Sequence, residues 1–111
     1  MDYKIKEDGK FKYLEEGEGE VIVLLHGLFG ALSNFKDLFE HFKGNYKVVI
    51  PMLPLYDMPI ATTGVKSLAK FVKKFIDHKG YENVTLLGNS LGGHVSLVYY
   101  ANWPEKVHSM V

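Results

Sequence analysis

Residues 85–96 read "TLLGNSLGGHVS". A mostly apolar run, Asn83 to Leu87, meets three glycines set around one serine, and a helical pattern follows at once. Glycine loses more conformational freedom on folding than any other residue, so Gly88, Gly92 and Gly93 are costly unless the geometry demands them. Two readings compete. In the first, a tight strand-to-helix turn happens to contain Ser90. In the second, the turn is a nucleophile elbow, which holds the serine hydroxyl exposed above a sheet.

The flanking sequence says what kind of sheet that is. Val21-Ile22-Val23-Leu24-Leu25 is continuously apolar and β-branched, the pattern of a strand buried on both faces. Ser33 or Asn34 can cap a helix with apolar positions Phe35, Leu38, Phe39 and Phe42, and Gly44 stands where a C-terminal cap belongs. Tyr46 to Ile50 is the next buried strand. A loop rich in Pro and Met, Pro51 to Pro59, reads as neither strand nor helix. Thr62 or Thr63 then opens a helix with Val65, Leu68, Ala69, Val72, Phe75 and Ile76 on one stripe. Its lysines, at 66, 70, 73 and 74, lie largely on the other side and read as a solvated face.

Beyond the serine turn, a helix carries Val95, Leu97, Val98 and Ala101 and stops near Trp103-Pro104, and Val107 to Val111 begins another strand. Ahead of all this, Tyr3 and Ile5, then Phe11 and Tyr13, alternate with polar residues around Asp8-Gly9, which predicts a half-buried antiparallel hairpin. A hairpin followed by alternating strands and helices predicts a three-layer α/β/α arrangement around a mostly parallel sheet. It forms a single domain over residues 1–111, and the chain ends while a strand is being laid down.

Composition narrows the function. Lys plus Arg and Asp plus Glu are both 13, so nothing electrostatic points to nucleic acid or an anionic membrane. Cysteine is absent, which removes disulfides, thiolate metal sites and a Cys nucleophile. Met1-Asp2-Tyr3-Lys4 has no apolar leader, and no apolar run approaches the ~20 residues of a membrane span, so a soluble cytoplasmic chain is expected. Ligands of open α/β sheets bind at the carboxyl ends of the strands. Two glycine-bearing loops fall there, His26-Gly27-Leu28-Phe29-Gly30 and the serine turn. Neither has the G-x-G-x-x-G or Walker spacing, which disfavours a nucleotide.

Gly88-x-Ser90-x-Gly92 between a buried strand and a helix fits the elbow. With Leu24-Leu25-His26-Gly27-Leu28-Phe29-Gly30, Leu86 to His94 and Pro104-Glu105-Lys106-Val107, the chain resembles the amino-terminal half of an α/β-hydrolase, of the esterase-like branch with a serine nucleophile. The resemblance implies Ser90 as nucleophile, and the backbone N–H groups of Leu28 and Leu91 as the oxyanion hole. It implies a small-molecule ester or acyl substrate, no cofactor and no metal. Phe29 can line the acyl pocket or pack into the core. Pro51-Met52-Leu53-Pro54-Leu55-Tyr56 departs from the Asp-x-Pro-Gly-x-Gly pattern common in relatives, which points to an outlying subfamily.

A serine hydroxyl needs a base, itself oriented by an acid, and in this family both follow the serine. After Ser90 the chain offers only Glu105, His94 and His108. His94 falls within a helix and His108 within the nascent strand, and both read as structural. His26 reads as bracing its loop, and His41 and His78 as suited to helix C-termini. The acid and base are therefore expected outside this chain, as in a truncated, inactive fragment that also lacks the lid. A non-catalytic, receptor-like homologue or an interaction module is the alternative. An unpaired strand edge and an uncovered apolar face predict a homodimer or higher oligomer, joined through Val107–Val111 or through that face.

Overall fold

The computed structural model describes residues 5–25, 36–53, 64–88 and 91–110. The elements run β1 (Lys6–Asp8), β2 (Phe11–Glu16), β3 (Val21–Leu25), α1 (Lys36–Phe42), β4 (Lys47–Pro51), α2 (Val65–Lys79), β5 (Val84–Gly88), α3 (Leu91–Asn102), a 3-10 turn (Pro104–Lys106) and β6 (Val107–Met110). The six strands form one sheet in the order β1-β2-β4-β3-β5-β6. The β1 and β2 strands are antiparallel to their neighbours, and β4, β3, β5 and β6 are mutually parallel. This is the expected mixed, mostly parallel α/β sheet.

Strand side chains alternate between faces, so one continuous apolar run supplies two cores. Ile22 and Leu24 of β3 join Leu14, Val48 and Ile50 against Phe39 of α1. Val23 and Leu25 point the other way, to a larger cluster with Leu68, Val72, Phe75 and Ile76 of α2 and Val95 and Tyr99 of α3. The predicted stripe of α2 is buried from Leu68 to Ile76, with Val65 partly buried at its start. Lys66, Lys70 and Lys74 are exposed, as a solvated face requires, while Lys73 is half-buried, paired with Asp77 and over the Trp103 ring.

Several local expectations need correction. The hairpin turn is Gly9-Lys10, because Asp8 pairs with Phe11, and Gly9 takes the positive φ of 62°. Only β2 is half-buried, since Lys6, Glu7 and Asp8 are all exposed. The residue capping α2 is Gly64, whose carbonyl accepts from the N–H groups of Ser67 and Leu68, and no side chain caps it. Thr62, Thr63, Ser33 and Asn34 lie outside the described residues. Gly44 has no positive φ, and the end of α1 is closed by Lys43 N–H to Phe39 O and Tyr46 N–H to Phe42 O.

Pro51 belongs to β4, opposite Tyr13. It is tolerated because the parallel ladder to β3 has already ended at Val49, so no N–H is needed there. In α3 the buried residues are Gly92, Val95, Ser96 and Tyr99, whereas Leu97 and Ala101 face outward. A helix apolar on all sides gives its sequence no preferred face, and packing on β5 and β3 chose this one.

Candidate active site

The chain leaves β3 toward β4, then returns across β3 to β5 on its other side. Between β3 and β5 the connections therefore diverge, and that is where an open α/β sheet makes its binding crevice. The segments leaving the two strands at that end are residues 26–35 and 89–90. His26, Leu28, Phe29 and Ser90, with the predicted conformation of Ser90, lie outside the described residues.

What frames position 90 is described. The β5 strand ends at Gly88 and α3 begins at Leu91, so two residues make the whole reversal from strand to helix. A β-carbon built on Gly88 would stand 2.4 Å from the carbonyl oxygen of Gly92, and 2.5 Å from both its carbonyl carbon and the Gly93 nitrogen. Real β-carbons do not approach backbone so closely, so Gly88 is obligatory. Gly93 is different: its built β-carbon would meet the Gly88 oxygen at 3.6 Å, an ordinary contact. The glycine two before the serine is thus what lets the helix's first turn press onto the strand end.

The first turn of α3 offers backbone N–H groups with no partner inside the helix, Leu91 among them, and the positive end of the helix dipole lies at this crevice. Four residues on, the Ser96 hydroxyl is buried and donates to the Gly92 carbonyl at 3.0 Å, which holds that turn from the inside.

The histidines are distributed unevenly. His41 and His78 stand in the last turns of α1 and α2, as the sequence predicts. His78 Nε2 lies 3.0 Å from Asp8 Oδ2, and its ring rests against Phe11. The α1 helix returns antiparallel to the strands, so His41 sits at the end of the sheet opposite the crevice, whereas His78 is held beside the β1–β2 hairpin by Asp8 and Phe11. Val84 pairs with Val107 and Thr85 with Ser109, which puts His108 level with the start of β5, about 10 Å along the strand from Gly88. It is exposed, as are His94 on α3 and Glu105 in the 3-10 turn. Only position 26 follows a strand at the crevice end. Among the described residues, no group of three or more His, Asp or Glu could hold a metal ion.

A well-connected polar group of the described residues lies elsewhere. Glu15 of β2 accepts from the Tyr81 hydroxyl and pairs with Lys79 at 3.5 Å and Lys6 at 3.7 Å, while Lys79 donates to the Tyr13 hydroxyl at 2.9 Å. Burial would raise the Glu15 pKa, but the Tyr81 hydroxyl and the charges of Lys79, Lys47 and Lys6 outweigh it and hold the carboxyl below its ordinary value. The Tyr81 phenol is pushed up by burial and by Glu15. Tyr99, buried with no partner for its hydroxyl among the described residues, is pushed up to about 12 by burial and by Asp77 and Glu105. Sequence spacing could not have found the Glu15–Tyr81 pair, whose members are 66 residues apart. It ties β2 to the end of α2.

Comparison with known proteins identifies the arrangement. Residues 20–111 match the protein family described as the alpha/beta hydrolase fold. The chain belongs to that family. Among solved structures it is similar to MGS-MChE2, an alpha/beta hydrolase enzyme from the metagenome of lagoon sediments at Mar Chica, Morocco. That likeness has 54% identity and a TM-score of 0.90 over 96% of this chain and 49% of the other. A bacterial membrane phospholipase A, described as a virulence factor, is 28% identical with a TM-score of 0.84, over 98% of this chain and 38% of that one. A 2-hydroxy-6-oxononadienedioate/2-hydroxy-6-oxononatrienedioate hydrolase of Escherichia coli O81 (strain ED1a) is 32% identical over 86% of this chain and 36% of its own length. The chain thus spans between about a third and a half of these α/β-hydrolase relatives. No helix among its described residues is long and apolar enough to cross a membrane.

Proposed function

We propose that this chain carries the nucleophile half of a serine hydrolase, which cleaves carboxylic esters or related acyl substrates through an acyl-enzyme on Ser90. The carrying observation is the approach of Gly88 to Gly92, the end of β5 against the first turn of α3 at the switch-point crevice, with only positions 89 and 90 between the two elements. In this reading the Ser90 hydroxyl attacks the substrate carbonyl and gives its proton to a base. The resulting oxyanion is received by the N–H groups of Leu28 and Leu91. Donors fixed in place before reaction are worth roughly 3–4 kcal/mol each in such sites. Collapse expels the alcohol, and water then releases the acid from Ser90. Phe29 would flank the acyl group.

In this reading the base and the acid that orients it come from residues outside this chain: His41 and His108 lie toward the amino ends of the strands, His94 is exposed on α3, His78 is engaged with Asp8, and the sequence reads His26 as bracing its loop. Identity of 32% to an oxononadienedioate hydrolase favours one second reading, in which the same serine cleaves a carbon–carbon bond beside a ketone. The test uses the full-length product of the gene. It should hydrolyse p-nitrophenyl esters, and Ser90→Ala should abolish turnover, while the 111-residue chain alone stays near background. Turnover of the dienedioate but not of esters would favour the second reading. A full-length protein inert toward both, or a Ser90→Ala variant with undiminished turnover, would overturn the nucleophile and leave a binding role.

A further inference from the structure

The α3 helix is weakest in sequence where it begins. Its first turn is Leu91-Gly92-Gly93, and glycine is the poorest helix former after proline. No acidic side chain stands in that turn to complement the helix dipole. A helix begun this way frays unless something holds it. Yet this is the turn that carries the Leu91 N–H and follows directly on position 90.

Ser96 is what reaches it. Among the described residues it is the one buried polar side chain that is not aromatic. An alanine would occupy the same place with a higher helix propensity, so packing alone does not ask for a serine there. The hydroxyl donates to the Gly92 carbonyl oxygen at 3.0 Å. In a helix that oxygen also takes the N–H of the residue four places on, so Ser96 holds it with two donors. The same oxygen is the atom nearest to a β-carbon built on Gly88, at 2.4 Å. The bond therefore ends where the first turn of α3 meets the end of β5. At the other end of α3, Asn102 Nδ2 donates to the Val98 carbonyl at 2.8 Å, but that bond is exposed and water can replace it. The Ser96 bond is shielded, which strengthens it and leaves a freed hydroxyl no solvent to turn to.

We propose that Ser96 is a positioning residue, a role that rests on the reading of Ser90 as nucleophile and Leu91 as oxyanion donor. Through the Gly92 carbonyl its hydroxyl fixes the first turn of α3 against β5, and with it the direction of the Leu91 N–H. Such a donor acts on charge that develops in the transition state. Loosening it lowers kcat and leaves ground-state binding alone.

The test is Ser96→Ala in the full-length protein, with ester kinetics and amide exchange read side by side. In a helix the N–H groups of residues 95–97 bond to the carbonyls of residues 91–93, so their exchange reports on the first turn. Relative to residues 84–88 of β5, that exchange should quicken by about tenfold or more. The kcat for p-nitrophenyl esters should fall by about tenfold with KM unchanged. Ser96→Thr keeps a hydroxyl able to bond the same carbonyl and should restore both. Unchanged exchange at residues 95–97 in Ser96→Ala overturns the proposal, whatever the kinetics. Faster exchange with unchanged kcat, or a loss confined to KM, also overturns it and leaves the Ser90 reading standing. Turnover that survives Ser90→Ala, or a full-length protein inert toward esters and the dienedioate alike, overturns the Ser90 reading and the role of Ser96 with it.

Discussion

The turn at Gly17 and the turn at Gly88 both press backbone against backbone, and neither admits a β-carbon. At Gly17 one would stand 2.1 Å from the Tyr46 carbonyl oxygen and 2.5 Å from that of Lys43, with φ at +89°. At Gly88 one would stand 2.4 Å from the Gly92 carbonyl oxygen, at an ordinary φ. The first contact seats the β2–β3 turn on the end of α1 and lets β3 start beside β4. The second seats the start of α3 on the end of β5. Only the second is followed in sequence by a hydroxyl residue and then directly by a helix N-terminus. Close approach explains a glycine in either place, and the group carried above it separates a packing turn from a chemical one.

Substitution at the two positions should therefore fail in different ways. The largest effect is expected from Gly88→Ala in the full-length protein, on the hydrolase activity proposed above. Displacing the elbow by a fraction of an ångström should lower ester turnover by about 100-fold or more, because misplacement on the scale of 1 Å costs that much in a positioned site. Wild-type turnover in that variant would show that α3 can shift without moving Ser90. Gly17→Ala comes next, and its effect is on stability alone. Left-handed strain of about 1–2 kcal/mol and overpacking of about 1–3 kcal/mol predict a loss of about 2–5 kcal/mol by urea denaturation, with turnover per folded molecule unchanged. Loss of turnover without loss of stability would erase the contrast between the turns.

A smaller effect is expected at Glu15, on the strand that leads into the Gly17 turn. Its carboxyl is held below the ordinary 4.5, so folding favours the ionised form. The stabilisation is present above about pH 4.5 and is lost as pH falls through the lower folded-state value. Glu15→Gln should cost about 1–2 kcal/mol at neutral pH, and its deficit against wild type should close progressively below that point. A deficit that stays constant from pH 7 to strong acid would mean that packing, not charge, holds β2 to α2.

How much of this was legible depended on whether a signal was local. The buried strands were, since Val21–Leu25 and Val48–Ile50 are apolar without a break, and only a sheet covered on both faces asks for that. The stripe of α2 was legible because its apolar and lysine positions segregate at helical spacing. The outward face of α3 was not, because apolar residues surround that helix, and a buried serine and glycine replaced the expected Leu97 and Ala101. The hairpin turn was misplaced by one residue, because Asp-Gly and Gly-Lys both suit a tight turn and cross-strand pairing chose between them.

By itself the sequence determined the order of strands and helices, the two-sided burial of the sheet and the glycine spacing around Ser90. Each of these follows from the chemistry of residues close together in the chain. Only the tertiary structure decided that β3 lies between β4 and β5, so that β5 ends beside a switch point. It alone joined Glu15 to Tyr81 and Lys79, set His41 and His108 toward the amino ends of the strands, and put His78 against Asp8 of the hairpin. These are contacts between residues far apart in the chain, fixed by which strand pairs with which. No local pattern of residues encodes that choice.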